Sequence, residues 1–131
     1  MMIMKIYNEN LKTFSMSLKE VGLNPTHFEV LHLIFRNQTM DQKTIAQTLN
    51  LTQGNITHCI RHLDKLELIA IEKDWKTKHI SLTEKGEKLL DDLIPAQHQM
   101  MEHTLRGLDC NQKQQLRELL VSFANTCKDS V

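Results

Sequence analysis

The chain has 131 residues, is 40% hydrophobic and 24% charged, and carries a formal net charge of zero. This is an ordinary globular balance for one domain with extensions, and no low-complexity segment or internal repeat interrupts it. Only 5% is aromatic and 7 residues are Met, which favours packed helices over a β-sandwich, and no apolar run approaches the ~18 residues of a membrane span. The start, Met1-Met2-Ile3-Met4-Lys5, lacks the apolar core and small-residue cleavage site of a signal peptide. Cys59, Cys110 and Cys127 are an odd, widely spaced set, so no disulfide framework is expected and a reducing cytoplasm is the simplest setting.

Residues 3–21 place Ile3, Ile6, Tyr7, Leu11, Phe14, Leu18 and Val21 at spacings of three and four, the pattern of a helix with one apolar stripe. Gly22 ends it. A second helix opens either with Asn24 as N-cap and Pro25 at its first position, or with Thr26 as cap and Glu29 closing a capping box. Its inward residues are expected to be Phe28, Leu31, Ile34 and Phe35. Asp41 starts a short third helix with Ile45, Ala46 and Leu49 inward. Asn50-Leu51 is a turn, and Thr52 caps a fourth helix that buries Ile56, Cys59, Ile60, Leu63 and Leu66. Two helices joined by so short a link carry the signature of a helix-turn-helix.

The period changes after Leu66. Residues 68–73 form a short β-like run, 74–78 a charged tip, and His79-Ile80-Ser81-Leu82 alternates, which together read as a β-hairpin wing without a glycine at its turn. Thr83 caps a long helix with the stripe Leu89, Leu90, Leu93, Ile94, Met100, Met101, Leu105 and Leu108, and Pro95 inside it is expected to kink it. Asp109 and Gln112 form a box-like start for a last helix whose inward residues are Leu116, Leu119, Leu120, Phe123 and Cys127. The terminal helices hold more apolar stripe than a small winged domain can cover, which points to dimerisation arms at 1–22 and 84–131 around a winged helix-turn-helix at 25–83. The fold class is therefore mainly α with a small β-hairpin.

The chain resembles the MarR family of bacterial transcriptional regulators. The resemblance rests on residues 22–31 (GLNPTHFEVL), 44–49 (TIAQTL), 51–57 (LTQGNIT), 63–66 (LDKL) and 80–86 (ISLTEKG), in that order and spacing, and covers nearly the whole chain. It departs from the family's pattern at the wing, where Asp74-Trp75-Lys76 replaces Asp-x-Arg, and after the fourth helix, where Glu67 replaces the common Gly. Lys keeps the charge but loses Arg's planar fork. The resemblance implies a homodimer on a pseudo-palindromic site in double-stranded DNA, acting as a repressor and released by a small molecule, a metal or thiol oxidation. It also implies an effector cleft bounded by the first, second and fifth helices, near Tyr7, Leu11, Phe28, His32 and Leu93.

A helix in the major groove needs outward side chains that reach base edges and phosphates. On the fourth helix these are Thr52, Gln53, Asn55, Thr57, His58, Arg61 and His62, with Lys73, Lys76 and Lys78 on the wing as backbone contacts. The competing reading is an ordinary solvated face. His58 and His62, four apart, also have a metal-ligand spacing, with no evident third ligand nearby except Cys59, which points inward; His98 and Glu102, with His103 beside them, match a metal-site pattern only in part; DNA contact or plain solvation accounts for them, and no metal and no cofactor is expected. Two protonated histidines beside phosphates would tighten binding as pH falls. Trp75 is open between a backbone contact and packing across the hairpin. Among the cysteines, Cys110 in the first turn of the last helix is the best redox candidate, because the helix dipole favours a thiolate there. No glycine-rich phosphate loop, G-x-S-x-G elbow or C-x-x-C is present, so no enzyme is expected. The alternative is a winged-helix protein-interaction module without DNA binding.

Overall fold

The computed structural model describes residues 2–129, with the side chains of residues 3, 7, 11 and 127–129 outside the description. Among the described residues the chain runs α1 (Met2–Lys19), α2 (Pro25–Asn37), β1 (Thr39–Asp41), α3 (Gln42–Leu49), α4 (Gln53–Lys65), β2 (Ile69–Asp74), β3 (Thr77–Leu82), α5 (Glu84–Thr104) and α6 (Cys110–Asp129). It divides into two compact units, residues 1–95 and 96–131.

Local chemistry sets the helix starts. Asn24 caps α2 by accepting from the His27 N–H at 2.8 Å, with Pro25 next; the Thr26 alternative is not used. Asp41 caps α3 through the Thr44 N–H, and Thr52 caps α4 through the Asn55 N–H at 3.1 Å. The Thr83 hydroxyl accepts from the Gly86 N–H, and Asp109 and Gln112 close a reciprocal box at the start of α6.

Three helix ends use one device. At α1, α3 and α4 the amide five residues on reaches back to a carbonyl (Leu23 to Leu18, Leu51 to Ala46, Leu68 to Leu63) while the preceding residue turns left-handed. The left-handed positions are Gly22 at φ 78°, Asn50 at φ 57° and Glu67 at φ 61°. Glycine and asparagine suit this region; glutamate does not. The Glu67 backbone is nonetheless held, since its carbonyl accepts from the Thr83 hydroxyl at 2.7 Å and Lys85 Nζ donates to the Leu66 carbonyl at 3.0 Å. Gly86 lies so close to this joint that a Cβ there would clash with the Leu68 carbonyl oxygen.

The core of the first unit is Leu18, Phe28, Val30, Leu31, Ile34, Ile45, Ile56, Leu63, Ile80 and Leu90, all at or below 2% exposure, with Cys59, Ile60, Leu68, Ile69 and Leu93 around them. Leu51, in the turn between α3 and α4, is half-buried against this core. Phe35, expected inward, is 42% exposed. It follows Ile34 directly, and the stripe of α2 instead turns through Val30 and Leu33.

The sheet has three antiparallel strands in the order β1-β3-β2, not the two of a bare hairpin. β1 pairs Met40 with Ile80, and β2 pairs Ile71 with Ile80 on the other side. The hairpin strands also run further than expected: Asp74 pairs with Thr77, which leaves Trp75-Lys76 as a two-residue turn.

α5 continues through Pro95. In the second unit, three of the residues expected inward on α6 are not buried: Leu119, Leu120 and Phe123 are 68%, 56% and 66% exposed, and the side chain of Cys127 lies outside the described residues. Leu116 is half-buried. On α1, Met4, Ile6 and Met16 are also exposed. No helix among the described residues is long and apolar enough to cross a membrane.

Candidate nucleic-acid interface

α4 is built with two sides. Ile56, Cys59, Ile60 and Leu63 recur at three- and four-residue steps and are buried, so the opposite stripe, Gly54, His58, Arg61 and Lys65, must face outward, and all four are exposed. Gln53 and Asn55 lie exposed in the first turn beside the Thr52 cap. Thr57 is half-buried and accepts from Gln42 Nε2 of α3 at 3.4 Å, which ties the two helices of the helix-turn-helix together.

His62 does not join the outward stripe. Its Nε2 lies 2.8 Å from the Gly22 carbonyl oxygen, so it donates a proton there, and its ring stacks on His27 with centroids 4.5 Å apart and planes 15° apart. The reason is angular: one position past Arg61, the side chain swings to the flank of α4 that meets the α1–α2 turn. His62 thus ties α4 to the α1–α2 turn, which leaves His58 as the histidine on the outward stripe.

His27 escaped the sequence reading. It is 8% exposed, and its Nδ1 accepts from the Asn24 N–H at 3.1 Å while its own N–H donates to the Asn24 side chain. The Asn24-x-x-His27 spacing was the available signal, since it is that of a capping box with His in the usual Glu or Gln position. Burial, then the neighbouring His62 and His58, lower the His27 pKa to about 4, so the ring is neutral near pH 7.

The wing carries Lys73 directly across from Lys78, both exposed, with Lys76 in the turn. Like charges placed opposite on a ladder repel each other, and among the described residues the one ion pair is Lys88 with Glu84. Beside the wing is an open concavity of about 320 Å³. Asp41, Gln42 and Lys43 line it from the start of α3, Gln53 and Thr57 from α4, and Lys76, Thr77 and Lys78 from the wing. Its one carboxylate, Asp41, is held below the ordinary range by the Thr44 hydroxyl and backbone N–H that it caps. Gln42 Oε1 is buried there without a partner. The concavity thus brings together Gln53, Thr57, Lys76 and Lys78 of the DNA-contact candidates and sets Lys43 and Gln42 beside them, which the sequence reading missed because they belong to α3.

The remaining candidates lie elsewhere. Of the cleft residues, Phe28 and Leu93 are packed in the core, at 2% and 8% exposure, and so do not line an open wall. Phe28 meets Phe14 edge-on at 5.0 Å and His32 at 5.6 Å. The side chains of Tyr7 and Leu11 fall outside the described residues. A different concavity, about 360 Å³, is lined by Val21, Leu66, Leu68, Lys85, Lys88, Leu89 and Asp92. Cys110 is exposed, whereas Cys59 is buried and its thiol pKa is raised to about 11 by desolvation. Among the described residues no group of three His, Cys, Asp or Glu is placed to hold a metal ion.

Comparison with known proteins gives this geometry a family. The winged helix DNA-binding domain family matches residues 23–86. YkoM of Bacillus subtilis, an HTH-type transcriptional regulator, is 33% identical over 105 residues, covering 78% of this chain and 68% of YkoM. The chain spans 65% of the length of an HTH-type regulator of Bacillus cereus to which it is 35% identical. A MarR transcriptional regulator from Methanosarcina mazei superposes with a TM-score of 0.86 at 21% identity, over 96% of this chain and 87% of that one. MepR of Staphylococcus aureus, in its DNA complex, superposes with a TM-score of 0.86 at 19% identity, over 96% of this chain and 95% of MepR. The chain belongs to the HTH-type transcriptional regulators, carries a winged helix domain, and has the fold of MarR regulators.

Proposed function

We propose that the chain is a sequence-specific DNA-binding repressor, working as a homodimer that sets α4 of each copy into a major groove of a pseudo-palindromic operator. The observation that carries this reading is the outward stripe of α4. A helix held by a capped start, a left-handed end and a fully buried opposite side offers His58, Arg61 and Lys65 to a partner, with Gln53 and Asn55 at its leading end. Arg pairs with guanine and phosphate, and Gln and Asn pair with adenine, so the set suits base edges. Thr52 and Thr57 with Lys73, Lys76 and Lys78 supply backbone contacts. The DNA complex of the similarly folded MepR supports the same partner.

Dimerisation is supported by the exposed Leu119, Leu120 and Phe123 on α6, each of which gains about 1.5–3 kcal/mol on leaving water. Two copies would then place their recognition helices about one helical turn of DNA apart, or a multiple of it. A small-molecule, metal or oxidation signal acts by preferring one dimer geometry. The half-buried His32, beside Phe28, and the exposed Cys110 are its candidate receivers. The chain needs no catalytic role for this, and we place it in the cytoplasm with its DNA.

Selection of duplexes from a random pool with the purified chain tests the reading. The expected result is an enriched inverted repeat whose affinity falls steeply with salt. No enrichment and a flat salt response would identify a protein-interaction module instead.

A further inference from the structure

We propose that His62 is a positioning residue for DNA reading: its bond to the Gly22 carbonyl lets the turn that ends α1 set the rotation of the recognition helix α4. The proposal rests on the DNA-binding function above and adds a residue that acts on base selection without touching DNA.

Both ends of α4 are held by neighbouring elements. At its start the Thr52 hydroxyl caps it, and Gln42 Nε2 of α3 donates to the Thr57 hydroxyl at 3.4 Å. At its end Lys85 of α5 donates to the Leu66 carbonyl at 3.0 Å. Between these ends the half-buried His62 reaches sideways. Its Nε2 lies 2.8 Å from the Gly22 carbonyl oxygen, a residue forty positions away in the sequence. A carbonyl can only accept, so the ring must present a proton at Nε2.

The receiving turn is itself held in shape. Gly22 is left-handed at φ 78°, and the Leu23 N–H closes onto the Leu18 carbonyl at the end of α1. Just beyond, the side chains of Asn24 and His27 each accept from the other's backbone N–H. The His27 ring, 8% exposed, stacks on His62 with centroids 4.5 Å apart. Burial keeps that ring neutral near pH 7, so the stack holds no pair of like charges. His62 thus rests on a surface fixed by the backbone groups of the α1–α2 turn.

The consequence for reading follows from helix geometry. Arg61 is the adjacent residue, about 100° round the helix, and His58 lies about one turn earlier. Rotation of α4 about its axis moves every outward side chain together. An Arg pairing with guanine through two bonds tolerates only about 10–20° of misorientation. A lateral bond to a fixed carbonyl opposes that rotation. Its acceptor belongs to the turn that ends α1, so a shift of α1, an arm of the proposed homodimer, reaches α4 through this bond.

A histidine with a structural role alone would support the fold and leave selectivity untouched, and three variants of the full chain separate the two cases. His62→Ala removes bond and stack, His62→Phe keeps a ring over His27 without the donor, and His62→Gln keeps a donor at similar reach. Each is compared with the wild type by fluorescence anisotropy across a salt series, on a selected duplex and on a scrambled one of equal length. The temperature is one at which circular dichroism shows the proteins folded; the Phe and Gln pair suffices if His62→Ala does not fold. Ala and Phe should lose about tenfold on the selected duplex, lose little on the scrambled one, and keep the wild-type salt slope, since no phosphate contact is removed. Gln should recover most of the selectivity. If Ala and Phe select like the wild type and are only less stable, His62 is structural and the proposal is overturned. If both duplexes weaken together with a shallower salt slope, His62 touches phosphate directly and the proposal is overturned as well. In both cases the DNA-binding function stands, because the wild type still selects its duplex. If the wild type selects none, both fail together.

Discussion

α4 and α6 are both amphipathic helices, yet the chain treats them in opposite ways. α4 buries every member of its apolar stripe except Leu66, which is half-buried, and its polar stripe is left free. α6 repeats the pattern with Leu116, Leu119, Leu120 and Phe123, and three of these four remain exposed. A stripe closed within the chain fixes a helix so that its other side can read something. A stripe left open calls for a second surface, which a second copy supplies in the proposed homodimer.

The comparison can be broken first at α6. Leu119→Asp together with Phe123→Asp should abolish the dimer by analytical ultracentrifugation. It should lower affinity for a two-fold duplex by more than about 100-fold, through loss of the second half-site, while leaving the helical content of residues 1–95 intact by circular dichroism. On α4 the same kind of change acts on folding instead. Ile56, at 0% exposure, should cost about 2–5 kcal/mol when truncated to Ala, read by urea unfolding.

A third prediction concerns the joint that holds α4. The His27 pKa is lowered from 6.5 to about 4 in the folded chain, so the unfolded chain takes up the proton first as pH falls. This contribution is complete above about pH 6.5 and is lost progressively towards pH 4, where the loss amounts to ~3 kcal/mol. His27→Gln, which keeps an acceptor for the Asn24 N–H and has no charge to gain, should flatten that part of the stability profile. The smallest effect sharpens the end of α4: Glu67→Gly should raise stability by about 1 kcal/mol in thermal melts, because glycine accepts the left-handed turn.

The legible parts of the sequence were those decided within a few residues. Asn24, Asp41, Thr52, Thr83 and Asp109 reach backbone N–H groups three positions on, so their role as caps needs no knowledge of the rest of the chain. The buried stripe of α4 follows from periodicity alone. β1 was invisible, because three residues show no alternation and Thr39–Asp41 becomes a strand only by pairing with Ser81, Ile80 and His79 some forty positions away. His62 failed for the same reason: its partners, Gly22 and His27, belong to another turn of the fold. Lys43 and Gln42 were overlooked because only the folded chain brings α3 against the wing. Trp75, 85% exposed at the wing tip, could be listed among alternatives but not resolved, since exposure at a hairpin tip depends on whether the opposite strand offers a surface.

The central claim is that the outward stripe of α4 reads DNA, and Arg61 tests it most directly. Binding of the wild type and of Arg61→Ala to a selected inverted-repeat duplex should be compared by fluorescence anisotropy across a salt series. The account predicts a loss of about 1–3 kcal/mol for the variant at fixed salt, with altered base preference or a shallower salt slope. Equal affinity and equal slope for the two proteins would contradict it.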